Sequence, residues 1–333
     1  GETYAGRPHQ KWDDIIREGN NGVVFSEGPK WRENRRFALH VFRNFGLGRN
    51  IMQERVLVEV NSLITDIKNE ILNSKQEISI QDTIDISVGS IINNLTFGYR
   101  YGKDKKDEFQ HVKQFATMLV SQFSNPIDAQ LYATVLDLWV AGQETTSNTL
   151  AWVCAYLIQY PEVQKNLHKE LDEVIGNDRI ITLDDKSNLN YVNAVIAETQ
   201  RYCNLATANL FHRVTKDTKI HGYNIPVDTI ITHQVSTVLM NEKYFPEPEK
   251  FRPERFLDKN GKFFQPPELI PFGVGKRACL GEGLARLELY LFTANIANQF
   301  KLNYPTEKKD FAKRLIKGSA VPSPYLCKIQ NRF

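Results

Sequence analysis

The chain has only four cysteines, Cys154, Cys203, Cys279 and Cys327, far apart and without a CxxC pair. That spacing excludes a disulfide framework and a structural zinc site, and it fits a reducing compartment. Long apolar runs are missing as well, so no transmembrane helix is encoded, and there is no secretory signal. An excess of one charge is also missing. The 42 Lys and Arg face 39 Asp and Glu, and a net charge of +3 gives no nucleic-acid footprint. What remains is a chain of 333 residues, 41% hydrophobic and 24% charged, which is ordinary for a protein that buries a core. It opens on Gly1 rather than Met, which leaves room for a segment ahead of it, so a missing anchor says little about the parent protein.

Helical periodicity dominates. Lys30 to Arg43 predicts a helix with Trp31, Phe37, Val41 and Phe42 on or near one side, stopped by Gly46 and Gly48. A second runs from about Met52 to Leu72. After a polar break at Lys75, a third runs from Ile80 to Phe97. Asn125-Pro126 is a breaker. Leu131 to Tyr160 is apolar almost all round, the mark of a buried central helix. Pro161 opens the next helix, Gly176 closes it, and Tyr191 to Cys203 forms another. Short β-like runs follow from Phe211, then a Pro- and aromatic-rich meander over 241–278. A last helix carries Leu280, Leu284, Leu287, Leu291 and Phe300 as a stripe. The fold class is therefore mainly α with small β-sheets, in one domain over 1–333.

Three motifs need chemistry. In PFGVGKRACLGEG, Cys279 stands just ahead of a helix, where unpaired N–H groups, the macrodipole, Lys276 and Arg277 would favour a thiolate. Gly273, Gly275 and Gly281 let the backbone turn tightly against a flat ligand. The loop could cap a helix, bind an anion or present the sulfur to a metal, and a buried inert cysteine is the plain alternative. In AGQETT, inside the apolar helix, Ala141 and Gly142 leave room beside the backbone, while Glu144 and Thr145 supply an acid and an alcohol. Hydroxyls there can bond back along the helix and widen it locally, or merely cap a polar contact. In ETQR, Glu198 and Arg201 can pair on one face, and Arg255 in PERF is a candidate third partner if the pair is buried. The bases Arg32, Arg35, Arg36 and Arg43 would alone be a solvated helix face.

Together these residues resemble the cytochrome P450 superfamily, and within it the animal microsomal, drug-metabolising branch. FGVGKRACLG matches the haem loop at Phe272, Gly275, Arg277, Cys279 and Gly281, and Ala141 to Thr146 match the oxygen-side segment. Glu198 with Arg201, Arg255, and Trp31 with Arg35 complete the pattern over nearly the whole chain. The resemblance implies the P450 fold, with haem between the long central helix and the cysteine loop. It implies Cys279 as the axial thiolate and metal ligand. Trp31, Arg35, His212 and Arg277 would hold the propionates, with Arg213 a competitor for the role of His212. Phe272 and Gly281 would shape the loop, Ala141 would face the haem, and Glu144 with Thr145 would pass protons. Glu198, Arg201 and Arg255 would be structural.

The implied activity is insertion of one oxygen atom of O2 into a lipophilic small molecule such as a xenobiotic, fatty acid or steroid. Electrons would come from NADPH–cytochrome P450 reductase, with cytochrome b5 as a possible second donor. Arg32, Arg36, Arg43 and Lys276 would help steer the acidic reductase. Leu136, Ala141, Leu205, Ala206 and Val321 are expected to line an apolar pocket. The implied location is the cytoplasmic face of the endoplasmic reticulum membrane, reached through a segment outside this chain. The chain begins in what resembles the family's second helix. Between Phe109 and Leu131 it is several dozen residues shorter than family members, where the substrate roof would be. Two alternatives stay open: an isomerase or dehydratase of the same fold that needs no reductase, and a shortened, non-catalytic haem binder.

Overall fold

A computed structural model describes residues 2–9, 11, 17–46, 50–73, 77–102, 105–115, 126–306, 311–317 and 319–333. Gly48, Lys75 and residues 116–125 of the shortened stretch between Phe109 and Leu131, Asn125 among them, lie outside those residues. The long helices are α1 (Gly28–Asn44), α2 (Asn50–Leu72), α3 (Ile80–Phe97), α4 (Lys106–Phe115) and α5 (Pro126–Gln159). They continue with α6 (Pro161–Val174), α7 (Asn190–Cys203), the single turn α8 (Ser236–Leu239) and α9 (Glu282–Gln299). Helix α3 ends on Gly98 at φ +79°, and α6 is followed by Gly176 at φ +67°, the left-handed exits that glycine makes cheaply.

The central helix is α5. Every residue from Leu150 to Ile158 is buried, so its C-terminal half has no solvent face to make it amphipathic. It packs on α3, α7 and α9, and α2 closes the same core through Met52, Val56, Val60 and Leu63. The AGQETT stretch stays α-helical without local widening. Its side chains bond back along the helix: Thr145 Oγ1 donates to the Ala141 carbonyl at 2.7 Å and Thr149 Oγ1 to the Thr145 carbonyl at 2.7 Å.

The strands form small antiparallel pairs among the described residues: β1 (His212–Arg213) with β4 (Ile230–Ile231), and β2 (Thr218–Ile220) with β3 (Tyr223–Ile225). Near the C-terminus β5 (Phe300–Asn303) pairs β8 (Lys328–Asn331), and β6 (Arg314–Lys317) pairs β7 (Ser319–Pro322). Two sequence expectations are corrected. Phe37 is 62% exposed, and α1 instead buries Trp31, Ala38 and Phe42. The stripe assigned to the last helix overruns it: Leu280 precedes α9, and Phe300 begins β5, where Asn331 is its partner.

Candidate functional site

The cysteine loop is built by its own backbone. Gly273 (φ +69°) and Gly275 (φ +80°) turn it, and the Cys279 N–H donates to the Phe272 carbonyl at 2.9 Å, closing the loop ahead of α9. Backbone N–H groups of Gly281 and Glu282 approach the sulfur, as a helix start should provide. The thiol is nevertheless pushed above its ordinary value, because burial outweighs those N–H groups and Arg35. The expected help from Lys276 and Arg277 does not reach it. Lys276 Nζ is 2.7 Å from Glu2, while Arg277 lies over the Trp31 ring at 3.7 Å. Cys279 is still accessible, through the cavity that it lines.

That cavity, of about 350 Å³, lies between α5 and the cysteine loop. It brings together Trp31, Arg35, Ala141, Thr145, Phe272, Arg277, Cys279 and Gly281 from sequence positions up to 250 residues apart. Arg35 Nη2 donates to the Ala278 carbonyl at 2.8 Å, tying α1 to the loop. Two predicted residues are not on its wall. Glu144 faces away from it and is held by Asn148 Nδ2 at 3.2 Å, since consecutive helical residues point about 100° apart. His212 is buried behind the wall, its Nδ1 bonded to the Tyr4 carbonyl at 2.6 Å. Arg213, its alternative for that role, is paired with Glu27 at 2.6 Å and with Asp228. Of the expected apolar lining, Ala141, Leu205 and Ala206 are on the wall; Leu136 and Val321 are not, and Leu138 is.

Three wall residues, Arg7, Asp137 and Glu288, carried no local signal, and they stand with the predicted Arg277. Arg7 is buried, donating to the Phe211 carbonyl at 2.8 Å and the Val24 carbonyl at 3.0 Å, and burial lowers it to about 10. Arg277 donates to the Ala5 and Ser26 carbonyls, each at 2.9 Å, and burial with Arg7 and Arg35 nearby lowers it to about 9. Asp137, an acid inside an apolar helical run, accepts the backbone N–H groups of Val23 and Val24 at 2.9 Å and pairs Arg17 at 2.9 Å, strapping residues 17–24 onto α5. Glu288 of α9 is fully buried, hydrogen-bonded to Thr146, and pushed up to about 8 by desolvation.

The donor set fits haem. Arg277 meets the charges of both Arg7 and Arg35 in a half-desolvated space, and the donors Trp31 Nε1 and Arg277 Nη1 are buried without a partner, as is the acceptor His212 Nε2. Orphaned donors and crowded cations together call for anionic oxygens, which two carboxylates on a flat, apolar ring would supply. His212 has its proton on Nδ1 toward Tyr4, so it would meet a carboxylate at Nε2 only as imidazolium. Away from the cavity, the ETQR pair is buried with its expected third partner. Arg201 makes two bonds to Glu198, at 2.7 and 2.8 Å, and Arg255 Nε lies 3.1 Å from the same carboxylate.

The sequence matches the family described as Cytochrome P450 over residues 1–130 and 124–328. It is 33% identical to Cytochrome P450 2H2 of Gallus gallus, covering 98% of this chain and 80% of that protein. It is 32% identical to Cytochrome P450 2C8 of Homo sapiens, covering 98% and 81%. It is 33% identical to Cytochrome P450 2J5 of Mus musculus, covering 87% and 71%.

Proposed function

The chain belongs to the cytochrome P450 family and is a haem-dependent monooxygenase, and from that premise we propose that it inserts one oxygen atom of O2 into a lipophilic small organic molecule, hydroxylating or epoxidising it. The supporting observation is the cavity that joins a cysteine thiol, three guanidinium groups and a helical threonine around apolar walls. We read residues 1–333 as one domain, lacking part of the family's substrate roof.

When bound, haem supplies the binding and reductive activation of O2. Cys279 would hold the iron through its sulfur, which loses its proton on ligation despite the burial that raises the free thiol. Trp31 Nε1, Arg35, Arg277 and Arg7 would grip the propionates by charge-assisted bonds, and His212 would join them through Nε2 only as an imidazolium that burial disfavours. Thr145 Oγ1 rests its proton on the Ala141 carbonyl at 2.7 Å, and rotation about the C–O bond swings that proton into the cavity. Glu144, one residue back, is the reservoir acid that reprotonates Thr145 through solvent. Leu205, Ala206 and Leu138 exclude water from the substrate side.

Electrons would come from an NADPH-dependent flavoprotein reductase docking on the exposed patch of Arg36, Phe37 and Arg43, with cytochrome b5 as an alternative donor. Arg32 and Lys276 contribute less, because Glu2 pairs with both. No described helix is long and apolar enough to cross a membrane, so attachment to the endoplasmic reticulum would use a segment outside these residues. A second reading draws on Leu131 (61% exposed) and Val140 (42% exposed) of α5, apolar side chains off the cavity wall that stand open to water. Water entering past them would favour reduction of O2 without product.

The test is spectroscopic. The haem-loaded chain, reduced under carbon monoxide, is expected to give the red-shifted thiolate Soret band, and Cys279→Ala to lose it; a band that survives in the variant sinks the ligand assignment. Thr145→Ala is expected to keep the band while the ratio of product to NADPH consumed falls. An unchanged ratio removes Thr145 from the proton path.

A further inference from the structure

The exposed rim of the cysteine loop carries an acid among its bases. Glu2 Oε1 lies 2.7 Å from Lys276 Nζ of that loop and 3.9 Å from Arg32 Nη1 of α1, and Lys216 adds a further positive charge nearby. The hydrogen bond from Lys276, with the charges of Lys276 and Arg32, holds the Glu2 carboxyl below its ordinary value, so it is an anion throughout the neutral range. All three paired side chains are exposed. The backbone places the acid there. Residues Glu2–Tyr4 form a 3-10 turn, and the Thr3 carbonyl accepts the Thr215 N–H at 2.8 Å. The next carbonyl but one, that of Ala5, accepts Arg277 Nε at 2.9 Å. Arg277 directly follows Lys276, so the bond that ties the first residues to the cysteine loop also brings Glu2 to Lys276.

Exposed ion pairs of this kind add little to stability. They do change what an approaching partner meets. With Lys276 and Arg32 occupied, the cations of the docking face that have no acid beside them among the described residues are Arg36 and Arg43. Arg43 lies eight residues beyond Arg35, about 12 Å along α1 from the bond that Arg35 makes to Ala278 beside Cys279. Lys276 is three residues from Cys279. Electron transfer slows steeply with distance, so a donor held at Lys276 is better placed than one held at Arg43.

We propose that Glu2 is a displaceable clamp on the electron-donor surface, holding Lys276 and Arg32 until carboxylates of an acidic donor take its place. The proposal rests on the docking face described above and adds which partner fits it. That partner presents two carboxylates spaced to reach Lys276 and Arg32 together, because a pair of charges outcompetes the single charge of Glu2 for both cations. A donor with one carboxylate leaves the clamp closed and is held only at the Arg36 and Arg43 end. Glu2 repels such a donor from the cysteine loop, so the same side chain discriminates between partners.

Binding of NADPH–cytochrome P450 reductase to the immobilised, haem-loaded chain tests the clamp, once the carbon monoxide band has shown each variant to be folded and loaded. Glu2→Gln frees both cations and should bind about threefold tighter at low salt, chiefly through faster association, with the gain gone at high salt. Lys276→Gln should cost little in the parent chain, where Glu2 already holds that lysine, and several-fold in the Glu2→Gln chain. Glu33→Gln is the control. It removes an acid of α1 that has no cation partner among the described residues, so it should gain less than Glu2→Gln. Equal gains from those two variants, or the same cost of Lys276→Gln with and without Glu2, overturn the clamp. Arg36→Gln combined with Arg43→Gln separates the two readings. If that pair does not weaken binding, the docking face is wrong and the clamp falls with it. If it does, and Glu2→Gln gains nothing, the face stands and the clamp alone falls.

Discussion

Glu288 shows at the residue scale how burial sets chemistry. Its carboxyl is fully buried between α9 and the Thr146 hydroxyl, and desolvation lifts it from an ordinary 4.5 to about 8. Across that window the folded chain keeps a proton that the unfolded chain releases, so stability falls as pH rises from about 4.5 to about 8. A tenfold difference in proton affinity between the two states is worth about 1.4 kcal/mol, which makes the loss large for one side chain. Glu288→Gln, neutral at every pH, should flatten this slope and be more stable than the parent near the upper end. Urea midpoints at the two ends of the window measure it, and parallel curves for parent and variant would mean that Glu288 ionises freely. Cys279 follows the same physics with a different result. Reading the helix start and flanking bases predicts a lowered thiol, but Lys276 and Arg277 turn away to Glu2 and Trp31, and desolvation prevails.

At the scale of elements, the contact of α3 with α5 positions the AGQETT stretch. Gly89 permits it: a Cβ there would lie 2.2 Å from Phe109 Cε2 and 2.8 Å from Gln143 Oε1. Gln143 Nε2 in turn donates to the Asp85 carbonyl at 3.0 Å, so the crowded side chain belongs to the segment that carries Thr145. Gly89→Ala should cost about 1–3 kcal/mol by overpacking, read as a lower denaturation midpoint. A Gly98→Ala control, whose added methyl meets nothing, tests only the left-handed backbone. Equal losses in the two would show that α3 and α5 are not packed through Gly89. Element boundaries of this kind were largely legible in the sequence, since Pro161 and Gly176 act locally on the backbone. The exposure of Phe37 and the overrun of the last stripe were not. Periodicity says which residues share a face but not where a neighbouring element covers it, nor where a helix gives way to a strand at Phe300.

Over the whole molecule, the cofactor cavity is an assembly of distant pieces, and so it was only half legible. Motif spacing located Trp31, Arg35, Thr145 and Cys279. Nothing local to Arg7 distinguished it from other surface bases, and its role depends on residues 2–9 and 17–27 folding over the cysteine loop. Arg277 makes that closure by donating to Ala5 and Ser26, while the Gly6 carbonyl accepts the Arg213 N–H at 2.9 Å. The closure crowds Arg7, Arg35 and Arg277 around donors that have no partner, an arrangement that favours binding over stability of the empty chain. Haem should therefore stabilise the fold by more than simple occupancy of an apolar hole. Mass action alone gives about 2.7 kcal/mol at a hundredfold excess over Kd. Arg277→Gln removes a buried charge while keeping a donor for one carbonyl, so the empty chain should lose little, whereas the gain in melting temperature on adding haem should shrink markedly. Melting curves of both proteins, empty and loaded, decide it. If Arg277→Gln lowers the empty and loaded forms by the same amount, Arg277 serves the closure alone and the propionate assignment falls.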